Sequence, residues 1–373
     1  MDKESSISSV QFAVLMYMFS VGTAALIQPH LMVLLAGQDA WFTLVIAMII
    51  QLALASLYMS LAYRFPNETI IEYSRKIVGP YLGTIVSCIY LLYYLMLGGY
   101  IIRVVSDFIG SVILIQTPLD ALSLTFLIPA LYGVFLGLGV IGKAAQILLP
   151  VALGVFILTA LLLIPKAQFS NLLPVFPNGI MPSIKGTYPV LGFPLMESAI
   201  ALMLFKFVKD KKKTKKLFYI GIVASPLTSL LITAYTIMVL GVDMTARAPY
   251  VVYDMAKEIH VERILERMEA IVGIIWMSTT FVKMSLCLYV CTLATVQIFK
   301  VTSYRYLLIP LVFLLLPLSL WVANNTTEVE EFNRDVYTIY TLLPGLFIPV
   351  LLLVIARIRG MRGISEQKQN QNE

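Results

Sequence analysis

Charge is scarce in this chain of 373 residues. Only 13% are Asp, Glu, Lys or Arg, 59% are hydrophobic, and the mean hydropathy is +0.88. That excludes a soluble globule of this size, which needs more polar surface than these residues supply, and marks an integral membrane protein. Cysteine and histidine are nearly missing as well, with three and two copies. Cys88, Cys287 and Cys291 all fall in apolar stretches. An odd count without a CxxC or a Cys/His cluster excludes a disulfide framework and a metal site, so they read as small buried hydrophobes. His30 and His260 have no ligand neighbours in the sequence. With no nucleophile–base, metal or phosphate constellation, the chain is not expected to be an enzyme or to carry a cofactor.

Long apolar runs are what the chain does have. Crossing about 30 Å of hydrocarbon takes roughly 20 helical residues. Such stretches lie at approximately 10–35, 41–63, 82–115, 122–140, 144–164, 186–206, 217–240, 268–298, 306–323 and 338–356. Ten spans follow, each boundary good to a few residues. A net charge of +6 does not mean nucleic acid here, because the Lys and Arg alternate from loop to loop. With the N-terminus inside, eighteen fall on cytoplasmic segments and seven on outer ones, while Arg103 and Lys283 lie within spans. Both termini are therefore expected in the cytoplasm. The run FKFVKDKKKTKK after the sixth span is read as a topology signal that also touches anionic lipid headgroups.

Two spans are interrupted. In GTYPVLGFPLMESAIALMLFK, residues 186–206, Gly186, Pro189, Gly192 and Pro194 precede Glu197; in the first span Gly22, Thr23 and Pro29 interrupt VGTAALIQP. Proline and glycine free backbone groups that hydrocarbon cannot satisfy, so both breaks are expected to face protein or a polar cavity. Two broken spans, five apart, predict two five-helix halves of opposite orientation, the inverted repeat of secondary transporters, with a solute site at the midplane. The halves are 10–165 and 166–357, between tails at 1–9 and 358–373. Spans three and eight become symmetry mates, which is expected to bring Arg103, Asp107 and Lys283 to the sides of the site. Arg103 and Asp107 share a helix face and form either a relay or a structural lock. Lys283 needs a partner, for which Asp107 and Glu197 are the candidates.

Other segments read more simply. Ser8 or Ser9 caps the first helix, RFPNETIIEYSRKIVGP (64–80) is an amphipathic surface helix, and the 165–185 segment is an irregular loop over the bundle. The 241–267 segment predicts a helix capping the outer side, and NNTTEVEEFNRD (324–335) reads as a solvated acidic turn. Gly137, Gly139 and Gly142 match GxGxxG without the strand a dinucleotide site requires, and read instead as a close helix approach.

The segments ISSVQFAVLMYMFSVGTAALIQP, RFPNETIIEYSRKIVGPYLG and KGTYPVLGFPLMES resemble the B subunits of the nutrient germinant receptors of spore-forming bacteria, in the amino acid–polyamine–organocation superfamily. The likeness covers nearly the whole chain, and the loop between spans two and three is its most specific part. It implies an all-α, LeuT/APC-like membrane protein of the spore inner membrane, working with an A-type membrane subunit and a C-type lipoprotein. It further implies that the chain senses a germinant such as an amino acid and triggers ion release. By position, the pocket would fall on Gly22, Thr23 and Ala24 in span one, Tyr100 and Val104 in span three, Gly192, Phe193 and Leu195 in span six, and Thr279 in span eight. A ligand carboxylate is expected on the amides of the two breaks, where half-helix N-termini add positive potential. A receptor subunit and a proton-coupled permease both remain open at this stage.

Overall fold

The computed structural model describes residues 6–259 and 267–361. Among them the regular structure is helical, with a single isolated bridge between Ile7 and Val208. Nine helical stretches are long and apolar enough to cross a membrane. One, Ala24–Arg64, has 41 residues, roughly 60 Å of helix and twice a hydrocarbon core. It turns at Gly37, whose φ of 56° and ψ of −137° no helix accommodates. Its first part, Ala24–Ala36, continues the short apolar helix Ser9–Val21 as span one, and Ala40–Arg64 is span two. Ten crossings result, as the sequence predicts.

Local chemistry sets the helix ends. Ser8 caps span one reciprocally with Gln11, at 3.1 and 2.8 Å, and Thr69 does the same with Glu72 for the surface helix Ile70–Val78. That helix buries Ile70, Ile71, Tyr73 and Ile77, and its Glu72 takes Lys206 at 2.6 and 2.7 Å. It lies against span three, Pro80–Phe108, so closely that a Cβ on Gly83 would sit 2.4 Å from Arg75 Cα. Gly83→Ala should therefore lower stability by about 1–3 kcal/mol, read as an earlier thermal unfolding of the purified protein; unchanged unfolding would refute this packing.

Spans four and five, Leu119–Leu136 and Leu138–Leu162, join at Gly137, whose φ of 100° makes the turn; a Cβ on Gly142 would meet Gln11 at 3.4 Å, an ordinary contact. The glycine run thus makes a turn between two spans, and among the described residues Gly142 shows no glycine-dependent close approach. The loop after span five docks on span seven, Lys211–Arg247, where Gln168 N–H donates to Met238 O at 2.9 Å, and on Asp39, which accepts from Phe176 N–H at 3.0 Å. Span six starts at Met181, earlier than its apolar run suggests, and ends at Phe207. It is the central element, 89% of its apolar window being buried against 11% for span five.

Span eight is Met268–Phe299 and span nine Arg305–Val322. A helix at Val251–Lys257 packs on span eight; of the rest of the expected outer segment, 241–247 ends the span-seven helix, and 260–266, with His260, lie outside the described residues. The acidic turn expected at 324–335 is instead helix. Asn325 caps Thr326–Glu331, which runs on through Phe332–Val336 into span ten, ending at Ile358. Glu331 and Asp335 are exposed and Val329 and Asn333 are buried, while Glu330 comes within 3.5 Å of the buried His30.

Candidate functional site

Span one stops at Gly22, whose N–H still reaches Met18 O at 2.8 Å, and restarts at Ala24; Thr23, in the gap, is wholly buried. Span six breaks at Phe193, whose φ of −124° and ψ of 105° are those of a strand residue, flanked by Gly192 and Pro194. Only glycine fits at 192, because span ten presses on it: an added Cβ would lie 2.7 Å from Thr338 Cα.

Between the breaks stands Lys283 of span eight. Its ammonium donates to Thr23 Oγ1 at 2.8 Å and to Glu197 Oε2 at 2.6 Å, and lies over the rings of Phe193 and Phe19 at 4.9 and 5.3 Å. Glu197 Oε1 accepts the hydroxyl of Tyr337 in span ten at 2.5 Å. Lys283 and Glu197 are both fully buried. Two charges so far from water persist only where each finds close partners, and here four spans contribute to one continuous chain, Thr23–Lys283–Glu197–Tyr337. The lysine stem also fills the gap in span one, since a Cβ on Gly22 would meet Lys283 Cδ at 3.1 Å. Of the two partners the sequence offers Lys283, Glu197 is the one it takes.

Asp107 belongs to a second cluster. Its Oδ2 accepts from the hydroxyls of Tyr250, at 2.8 Å, and Thr326, at 2.7 Å. Arg103 reaches its other oxygen only at 3.4 Å. The carboxylate thus ties span three to the segment that follows span seven and to the start of span ten, rather than lining the gap between the breaks. Tyr100 joins the two clusters: its ring contacts Phe193 and Tyr337, with centroids 6.0 and 5.3 Å apart, and its hydroxyl accepts from Asn333 Nδ2 at 2.5 Å.

The other expected pocket residues divide. Ala24, Val104 and Leu195 are buried beside these elements. Thr279 points elsewhere: its hydroxyl bonds back to Trp276 O at 2.8 Å, and the side chain lines an apolar cavity of about 100 Å³ with Val21, Ala25, Phe156 and Trp276. Tyr337 and Asn333 are the site residues that sequence reasoning missed. The signal was the four-residue spacing of Val329, Asn333 and Tyr337, one helical stripe running through the acidic stretch.

The family described as "Spore germination protein", the spore permeases, matches residues 6–328. Spore germination protein KB of Bacillus subtilis (strain 168) is 28% identical, covering 95% of each chain. Spore germination protein YndE of the same organism is 27% identical over 86% of this chain and 88% of its own. Among solved structures, MhsT in complex with L-phenylalanine has a TM-score of 0.65 at 13% identity, covering 96% of this chain and 99% of that one. Mhp1, a nucleobase-cation-symport-1 family transporter in a closed conformation with bromovinylhydantoin bound, has a TM-score of 0.66 at 12% identity, covering 98% and 96%. The fold is accordingly that of the LeuT-type transporters, two broken helices at its centre, and the chain belongs to the spore germination protein family.

Proposed function

We propose that this chain is the membrane subunit of a spore germinant receptor that binds a small nutrient of the amino acid class at the bilayer midplane and helps trigger germination. One observation carries the reading: a fixed ammonium and a fixed carboxylate, Lys283 and Glu197, meet where both broken spans cross. A zwitterion presents the complementary pair of charges. Carbonyls and hydroxyls at the breaks suit its ammonium, with Gly22, Thr23, Ala24, Gly192, Phe193 and Leu195 on one side and Tyr100 and Val104 on the other. The protein sits in the spore inner membrane with both termini in the cytoplasm. Its two repeats, 10–165 and 166–357, work beside an A-type membrane subunit and a C-type lipoprotein, and its lysine-rich run lies against anionic lipid.

A second reading is a proton-coupled amino acid permease. The chain from Tyr337 through Glu197 and Lys283 to Thr23 favours it, being an unbroken line of groups that exchange protons. A deletion strain and proteoliposomes of the purified chain separate the two. The receptor reading predicts loss of nutrient-triggered germination with normal uptake, and no accumulation of labelled amino acid in the vesicles. Accumulation driven by a proton gradient would overturn it in favour of the permease.

A further inference from the structure

Of the two buried cations in the spans, one is satisfied and the other is not. Lys283 has two partners within 2.8 Å and two aromatic faces. The guanidinium of Arg103, its side chain only 5% exposed, has Asp107 Oδ1 at 3.4 Å, and its buried Nε meets no acceptor among the described residues. The closer bonds of Asp107, from Tyr250 and Thr326, both fall on Oδ2, and Oδ1 stays 3.4 Å from the guanidinium. A guanidinium carries five donors in a planar fork that a carboxylate meets with two parallel bonds.

Asn333, which bonds Tyr100, and Gln28, which shares a crevice with it, are short of partners too. Spans three and ten run antiparallel in a fixed register, Tyr100 against Asn333 and Asp107 against Thr326, which places Arg103 between those two links. Asn333 Oδ1 and both amide atoms of Gln28 are buried without a hydrogen bond, and these two side chains border a crevice beside Phe193 that is too narrow for water. The phenol of Tyr100 accepts from Asn333 and has no acceptor for its own proton among the described residues. Buried polar atoms left bare cost about 1–3 kcal/mol each, so Gln28 and Asn333 beside Phe193, with Arg103 three residues along span three from the Tyr100 that bonds Asn333, point to a group that arrives from outside the chain.

We propose that Arg103 is the carboxylate-recognition residue, with Tyr100, Asn333 and Gln28 completing the hydrogen bonds of a small carboxylate-bearing solute. This deepens the nutrient reading above and rests on it for the solute being an amino acid. It moves the carboxylate away from the amides of the breaks, where the Lys283 stem already packs on Gly22.

The test is thermal unfolding of the purified full chain titrated with amino acids, their methyl esters and simple carboxylates such as acetate and propionate. Wild type should bind the acid about 10- to 100-fold more tightly than its ester, as a charged hydrogen-bond pair implies. Arg103→Gln should bring that ratio close to one, and Arg103→Lys should keep part of it if the glutamine variant does not fold. A wild-type ratio near one, or a ratio unchanged in either folded variant, overturns the assignment, as does the absence of any shift with every carboxylate. A shift with acetate that depends on Arg103, without one for any amino acid, would leave this site standing and remove the amino acid reading instead.

Discussion

Lys283→Met is expected to lower the unfolding free energy by about 3–5 kcal/mol, the cost of leaving a buried carboxylate without its counter-charge. Glu197 would then keep only the Tyr337 hydroxyl, 2.5 Å away, and no exposed surface through which water could compensate. Glu197→Gln should cost a similar amount, because the ammonium would retain Thr23 and two ring faces but no anion. The double variant Lys283→Met/Glu197→Gln removes both charges, keeps an acceptor for Tyr337, and should unfold close to wild type, since a buried pair stabilises little relative to neutral side chains of like volume. Thermal unfolding of the three purified variants measures this coupling. Additive losses would mean that the two residues do not act as a pair. Germination is the second readout: the restored fold of the double variant should come without a nutrient response, whereas a full response would reduce the pair to a structural lock.

Phe193→Ala should have the next largest effect. The ring is 2% exposed, meets Tyr100 and Tyr337 edge to face, and covers the ammonium of Lys283. Truncating a buried phenylalanine costs about 3–5 kcal/mol through lost contacts and the cavity left behind. It also uncovers the ammonium of the ion pair. Phe193→Leu should keep most of the stability and still weaken nutrient binding, because leucine fills volume without offering a face to the cation. Equal unfolding temperatures for wild type and the alanine variant would show that the ring is not packed in the break as described.

How legible these features were depends on their energetic cost. Lys283 could be assigned a partner from sequence because a lone lysine deep in hydrocarbon is too expensive to leave unpaired, and Glu197 was one of only two acids deep enough. The breaks were legible because proline and glycine in an apolar span leave backbone groups that must be satisfied elsewhere. Asp107 was harder. Its spacing from Arg103 puts both on one helix face, but spacing cannot reveal that Tyr250 and Thr326, far away in the chain, bind the carboxylate more closely. Thr279 shows the same limit: it sits one turn from Lys283, yet its hydroxyl turns back on its own helix. Asn333 and Tyr337 were hidden because charged neighbours made the entry to span ten read as a solvent-exposed turn, and only the register against Tyr100 shows what that helix buries.

The most direct measurement is equilibrium binding of labelled amino acids to the purified chain, wild type beside Phe193→Leu and the Lys283→Met/Glu197→Gln double variant. Saturable binding of at least one amino acid to wild type, weakened tenfold or more in both variants while they remain folded, is the predicted result. Binding that is indifferent to both changes, or none across the twenty amino acids, would mean that the meeting point of the broken helices does not hold the nutrient.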